Sequence, residues 1–140
     1  MPLKAKIANK AVIDNDGYVY GVIVGIEEVE GSEEKQGRKT IRWAEQFRFD
    51  IESKGTSKTI TYQIWTGRNI NSEKFENDYN KLTRICLQLG LLKESDLKGD
   101  KEPSVDLEKA IGKKVKFKLE DSIKRPGLKI PNIKTIAIAE

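Results

Sequence analysis

Hydrophobic positions recur at every second residue through most of this chain, switch once to a helical spacing, and then return to alternation. In Tyr18 to Val29 one parity carries Tyr20, Val22, Val24 and Ile26, and the other carries Gly21, Ile23 and Gly25. This is the period of a long strand, with the first set turned inward. The preceding Asp14-Asn15-Asp16-Gly17 predicts a tight turn, because Asn and Gly accept positive φ at low cost. Leu3 to Ile13, ahead of that turn, reads as an extra N-terminal strand. Thr40 to Glu52 sets Ile41, Trp43, Phe47, Phe49 and Ile51 against Arg42, Ala44, Gln46, Arg48, Asp50 and Glu52. After a turn at Ser53-Lys54-Gly55-Thr56, Lys58 to Thr66 sets Ile60, Tyr62 and Ile64 against Thr59, Thr61, Gln63 and Trp65.

The period then lengthens. Phe75, Tyr79, Leu82, Ile85, Cys86 and Leu89 fall on one helical stripe, with Asn71 or Ser72 to cap its start and Gly90 to end it. Leu91 to Pro103 is a charged connection, and Ser104 caps a short helix that runs through Ile111 to Gly112. Two strands follow, Lys113 to Glu120 and Leu128 to Ala139. Pro131 in the second demands an edge position or a bulge. The order predicts a mainly β fold with α: an OB-fold-like five-stranded barrel, a helix between its third and fourth strands, and the extra N-terminal strand, all in one domain over residues 1–140. An open α+β sheet with the helix on one face is the competing plan.

Three local stretches sit at the joints of this plan: Trp65-Thr66-Gly67-Arg68 after the third strand, Leu87-Gln88-Leu89-Gly90 at the helix end, and Leu107-Glu108-Lys109-Ala110-Ile111-Gly112-Lys113-Lys114-Val115 entering the fourth strand. On these and on its architecture over roughly residues 18 to 138, the chain resembles the OB-fold single-stranded nucleic-acid-binding proteins of phages and mobile elements. The resemblance implies a non-enzymatic protein that holds single-stranded DNA with weak sequence preference, in replication or recombination. It leaves RNA and self-association into a homo-oligomer open.

Composition narrows the chemistry further. The chain has no histidine and a single cysteine, Cys86. That removes His-based triads, His metal sites and an internal disulfide. No catalytic residue, metal site or cofactor is expected, and Cys86 reads as buried packing. No apolar run approaches the roughly 18 residues of a membrane span, and no signal-peptide pattern opens the chain. The expectation is a soluble, cytoplasmic protein without a membrane partner.

Charge changes the picture most. Between Lys113 and Lys134, the cations Lys113, Lys114, Lys116, Lys118, Lys124, Arg125, Lys129 and Lys134 outnumber the acids Glu120 and Asp121, in a chain whose net charge is +4. Alternation turns Val115, Phe117 and Leu119 inward and Lys114, Lys116 and Lys118 outward. Such a row repels itself unless solvent or an anionic partner screens it. A lysine-guarded edge strand is the other reading of the same row. Trp65 is an indole on a polar face, which makes it either a platform for a base or the cover of a barrel end. Trp43 and Tyr62 read as core; Tyr18 and Tyr20 straddle the hairpin and reach the rim of a groove, although their parity is that of the inward set. Arg42 and Arg48 share a strand face and, with Arg68, are suited to phosphates or to stacking on bases. Asp50 and Glu52 on that face are equally suited to neutralise them. Lys124, Arg125 and Lys129, around the turn Lys124-Arg125-Pro126-Gly127, extend the groove where the loop between strands four and five forms one wall of an OB cleft.

The predicted mechanism runs phosphates along Lys114, Lys116, Lys118, Arg42 and Arg48 and stacks a base on Trp65. Two rivals remain at this point. Asp50, Glu52 and Lys54 form the D-x-E-x-K string of a carboxylate-metal nuclease. A module that pairs strand edges with a protein partner would wear the basic row as a solvated surface.

Overall fold

The computed structural model describes residues 3, 5, 8–29, 32–34, 40–42, 46–98 and 104–139, with 32–34 and 40–42 in backbone alone. Trp43 lies outside the described residues. Five antiparallel strands form the main sheet: β1 (Val19–Val29), β4 (Gln46–Lys54), β5 (Thr59–Thr66), β6 (Lys114–Phe117) and β9 (Ala137–Ile138), in the spatial order β5-β4-β1-β6-β9. Two short ladders stand apart, β2 (Ser32–Glu34) with β3 (Thr40–Arg42) and β7 (Leu119–Asp121) with β8 (Lys129–Pro131). The helix α1 (Lys81–Gln88) follows β5 in the chain.

The sheet curls strongly. Tyr62 of β5 and Phe117 of β6 meet edge to face with ring centroids 5.4 Å apart, although β4 and β1 lie between those strands. In a flat sheet three strand spacings would separate them by about 14 Å. Curling wraps the inner face around one core of Val19, Ile23, Phe49, Ile51, Ile64, Val115 and Phe117, closed by Leu82, Ile85, Cys86 and Leu89 of α1. Among the described residues no ladder joins β5 to β9, so the expected closed barrel is instead an open, curled sheet.

The inward parity of β1 is the reverse of the expected one. Val19 and Ile23 are completely buried, while Tyr20 and Val24 are 48% and 44% exposed. The register slips between Ile23 and Gly25. This bulge flips the alternation, so that Ile26 beyond it packs against the core. Gly21 takes an inward place where a Cβ would lie 2.7 Å from Ile51 Cγ2 and 2.9 Å from the carbonyl oxygen of Glu52. Only glycine lets β4 approach so closely.

Other expectations are corrected in the same way. Among the described residues of the expected N-terminal strand, Ala11 forms only an isolated bridge with Gly55, and Asn9 Oδ1 accepts from the Ser57 and Lys58 amides at 3.1 Å each. The helix begins ten residues after Asn71 because Asn80 caps it, its side chain accepting from the Thr83 amide. Phe75 to Asp78 instead forms a tight turn closed by two backbone hydrogen bonds, and Phe75 is 79% exposed. Asn77-Asp78 supplies side chains that favour turns over a helix interior. Each of the two expected C-terminal strands splits, into β6 and β7 and into β8 and β9, because the chain breaks step at Lys118 and again at the 3-10 turn Ile133–Thr135.

Candidate nucleic-acid interface

Directly paired residues of antiparallel strands project from the same face. The register therefore assembles the outer face row by row. Trp65 pairs with Arg48 and Arg48 with Glu27. Asp50 pairs with Gln63, and Thr61, Glu52, Val22 and Lys114 follow in line across four strands. Tyr20 pairs with Lys116. One continuous face thus holds Trp65 near one corner and the lysine row near the other.

The lysine corner is built on Tyr18. Lys116 Nζ lies 4.8 Å and Lys118 Nζ 5.2 Å from the centroid of its ring. Two ammonium groups share one π system there, an arrangement that offsets part of their mutual repulsion. Tyr20 stands beside them, and its hydroxyl donates to Asp14 Oδ2 at 2.6 Å. The Asp14 carboxylate also accepts from the Tyr18 and Asp16 amides, and the Tyr20 hydroxyl foremost holds its pKa below the usual value. The same bond raises the pKa of Tyr20. Lys114 and Lys118 are exposed and Lys116 is half-buried. Tyr18 and Tyr20 were assigned to the inward parity by sequence, and the bulge in β1, signalled there by Gly21 and Gly25, is what releases them to the outer face.

The tryptophan corner carries opposite charge. Trp65 is 38% exposed, and the Arg48 guanidinium lies 5.9 Å from its ring centroid. Arg48 donates from Nε and Nη2 to the two oxygens of Asp50, at 2.9 and 3.1 Å, and from Nη2 to Glu27 at 2.8 Å. The Asp50 bond raises its already high pKa. Its charge is thus met by two carboxylates before any ligand arrives. Arg68 pairs with Glu28 at 3.0 Å and lies 5.4 Å from the Phe47 ring centroid.

The remaining candidates lie elsewhere. Arg42 does not share a strand with Arg48: it belongs to β3, paired with β2 off the main sheet. Lys124 and Arg125 are exposed on the loop joining β7 to β8, which is closed by Ser122 N–H donating to Leu128 C=O and Leu128 N–H to Arg125 C=O. Lys129 forms an ion pair with Asp121. Of the D-x-E-x-K string, Asp50 is engaged by Arg48, and among the described residues no three Asp, Glu or Cys side chains converge as metal ligands. No helix among the described residues is long and apolar enough to cross a membrane.

No known protein family, curated protein or solved structure matches this chain.

Proposed function

We propose that this protein binds single-stranded nucleic acid without catalysis, over the outer face of the curled sheet. The observation that carries the reading is the Tyr18 ring flanked by the amines of Lys116 and Lys118, with exposed Tyr20 alongside. Single-strand binders combine a cationic track for phosphates with aromatic faces for bases, and this corner supplies both within one cluster. Five antiparallel strands, a curl that brings β5 against β6, and a helix after β5 support an OB-type relationship. Phosphates pass over Lys114, Lys116 and Lys118, and bases stack at Tyr20 and, farther along the face, at Trp65.

The test is fluorescence anisotropy of a labelled oligo(dT) at low and moderate salt. Binding that weakens with salt, and that falls in a Lys116→Gln/Lys118→Gln protein, is expected. Absence of binding at low salt would refute the reading, and salt-independent binding would favour a protein-interaction module.

A further inference from the structure

The hairpin of β7 and β8 stands apart from the main sheet, yet it is rooted in the lysine corner. Its base is clamped at Lys118, whose amide donates to Thr135 Oγ1 and whose carbonyl accepts from the Asn132 amide, both at 2.8 Å. The same residue carries its amine over the Tyr18 ring. Above the clamp, Leu119 packs against the core, and its partner Pro131 is buried. The tip is fixed as well. The Ser122 amide donates to the Leu128 carbonyl at 2.9 Å, the Leu128 amide to the Arg125 carbonyl at 3.1 Å, and the Arg125 amide to Ser122 Oγ at 3.3 Å. Gly127 completes the turn at a φ of 88°, which glycine adopts without strain.

The tip displays groups that the fold does not use. Ile123 is 99% exposed and Leu128 46%, and Lys124 and Arg125 between them are exposed too. An aliphatic side chain held wholly in water on a pinned turn gains nothing from burial. The two cations are also unengaged. Arg48, Arg68 and Arg84 each pair with a carboxylate, whereas Lys124 and Arg125 meet none among the described residues. Asp121, the acid nearest to them in the chain, is taken by Lys129.

We infer that this tip is a wedge for the junction where single-stranded nucleic acid runs into duplex. The inference rests on the sheet-face reading above and names the form of nucleic acid that face would take. A strand held over Lys116, Lys118 and Tyr18 would lead along the hairpin, because Ile123 lies five residues past Lys118, within about 17 Å of it. Ile123 would lie against the terminal base pair, as aliphatic side chains do when they part stacked bases. Lys124 and Arg125 would hold phosphates of the two diverging strands. A lipid surface also takes an aliphatic tip ringed by cations. Nucleic acid is favoured because the clamp at Lys118 gives the tip a fixed place in line with the lysine row.

The probe is a forked DNA duplex with oligo(dT) arms and 2-aminopurine in its last base pair, a base that brightens when it unstacks. The parent protein should brighten it about twofold and bind it about fivefold more tightly than oligo(dT) alone. Ile123→Ser, a change at an exposed position, should lose the brightening while keeping the parent's circular dichroism and oligo(dT) affinity. Lys124→Gln/Arg125→Gln should lose the preference for the fork. A parent protein that binds oligo(dT) but leaves the fork dark overturns the wedge and leaves the sheet-face reading standing. Brightening unchanged in Ile123→Ser, or a fork preference untouched by Lys124→Gln/Arg125→Gln, does the same. Capture by vesicles of phosphatidylserine and phosphatidylcholine that is lost in Ile123→Ser, with the fork left dark, overturns it by making the tip a lipid contact. Failure to bind oligo(dT) at all overturns the sheet-face reading and the wedge together, so the two failures are told apart.

Discussion

Arg48 shows how a single side chain changes role with its neighbours. Its guanidinium beside Trp65 looks made for a phosphate, yet Asp50 and Glu27 already satisfy it. A strand approaching Trp65 would therefore meet a neutralised arginine with carboxylates around it. Removing one of the two carboxylates should lower the negative charge at this corner while Asp50 still holds Arg48: Glu27→Gln is expected to tighten oligo(dT) binding by about threefold at low salt, the scale of one partly screened charge. An affinity unchanged or weakened by the substitution would show that the Trp65 corner does not meet the strand. Cys86 is the opposite case, a group with no surface role. Burial pushes its thiol pKa up to about 11, so the reactive thiolate is scarce at neutral pH. Native protein should react with a thiol reagent far more slowly than denatured protein, and equal rates would contradict the packing of α1 on the sheet.

Strand β1 and helix α1 each depend on one position that periodicity does not weigh. At Gly21 the Ile51 side chain and Glu52 backbone occupy the space a methyl group would need. Gly21→Ala is expected to destabilise the fold by about 1–3 kcal/mol, measured by urea unfolding; a neutral result would mean that β4 stands farther off. At the helix start, Asn80 satisfies the Thr83 amide. Asn80→Ala should cost about 1 kcal/mol. The hairpin before β1 carries a pH dependence of its own. Asp14 has a depressed pKa because the Tyr20 hydroxyl and nearby amides bind its charged form. A lowered folded-state pKa contributes stability above the unfolded-state value and loses it as pH falls through the folded-state value. The Tyr18–Tyr20 corner should loosen in acid below the ordinary carboxylate range, an effect reduced in Tyr20→Phe, where only the amides still bind the Asp14 carboxylate, and visible in tyrosine fluorescence.

The outer face of the sheet carries different charge at its two ends. The outer sheet surface runs from the Lys116–Tyr18–Lys118 cluster to the acid-rich Trp65 corner. On the proposed function, a single strand crossing it would gain most of its phosphate contacts at one end. If three lysines contact phosphates, the log–log salt slope should be about −2, near −0.7 per phosphate. A slope near zero would place the contacts elsewhere.

Much of this was legible in the residues alone. Strands β1 and β5, the part of the expected Thr40–Glu52 strand that became β4, the buried stripe Leu82, Ile85, Cys86 and Leu89, the stop at Gly90 and the outward lysines all follow from periodicities written in near neighbours. Local pattern names two candidate faces for a strand but does not choose between them. That choice waited on the bulge between Ile23 and Gly25, which turned Tyr20 outward. Likewise, nothing near Arg48 in the chain announces Glu27, which reaches it from an adjacent strand, or brings the lysines to Tyr18. Those partners are set by register between distant segments. Alternation says that a side chain faces out, and only strand pairing says what it faces.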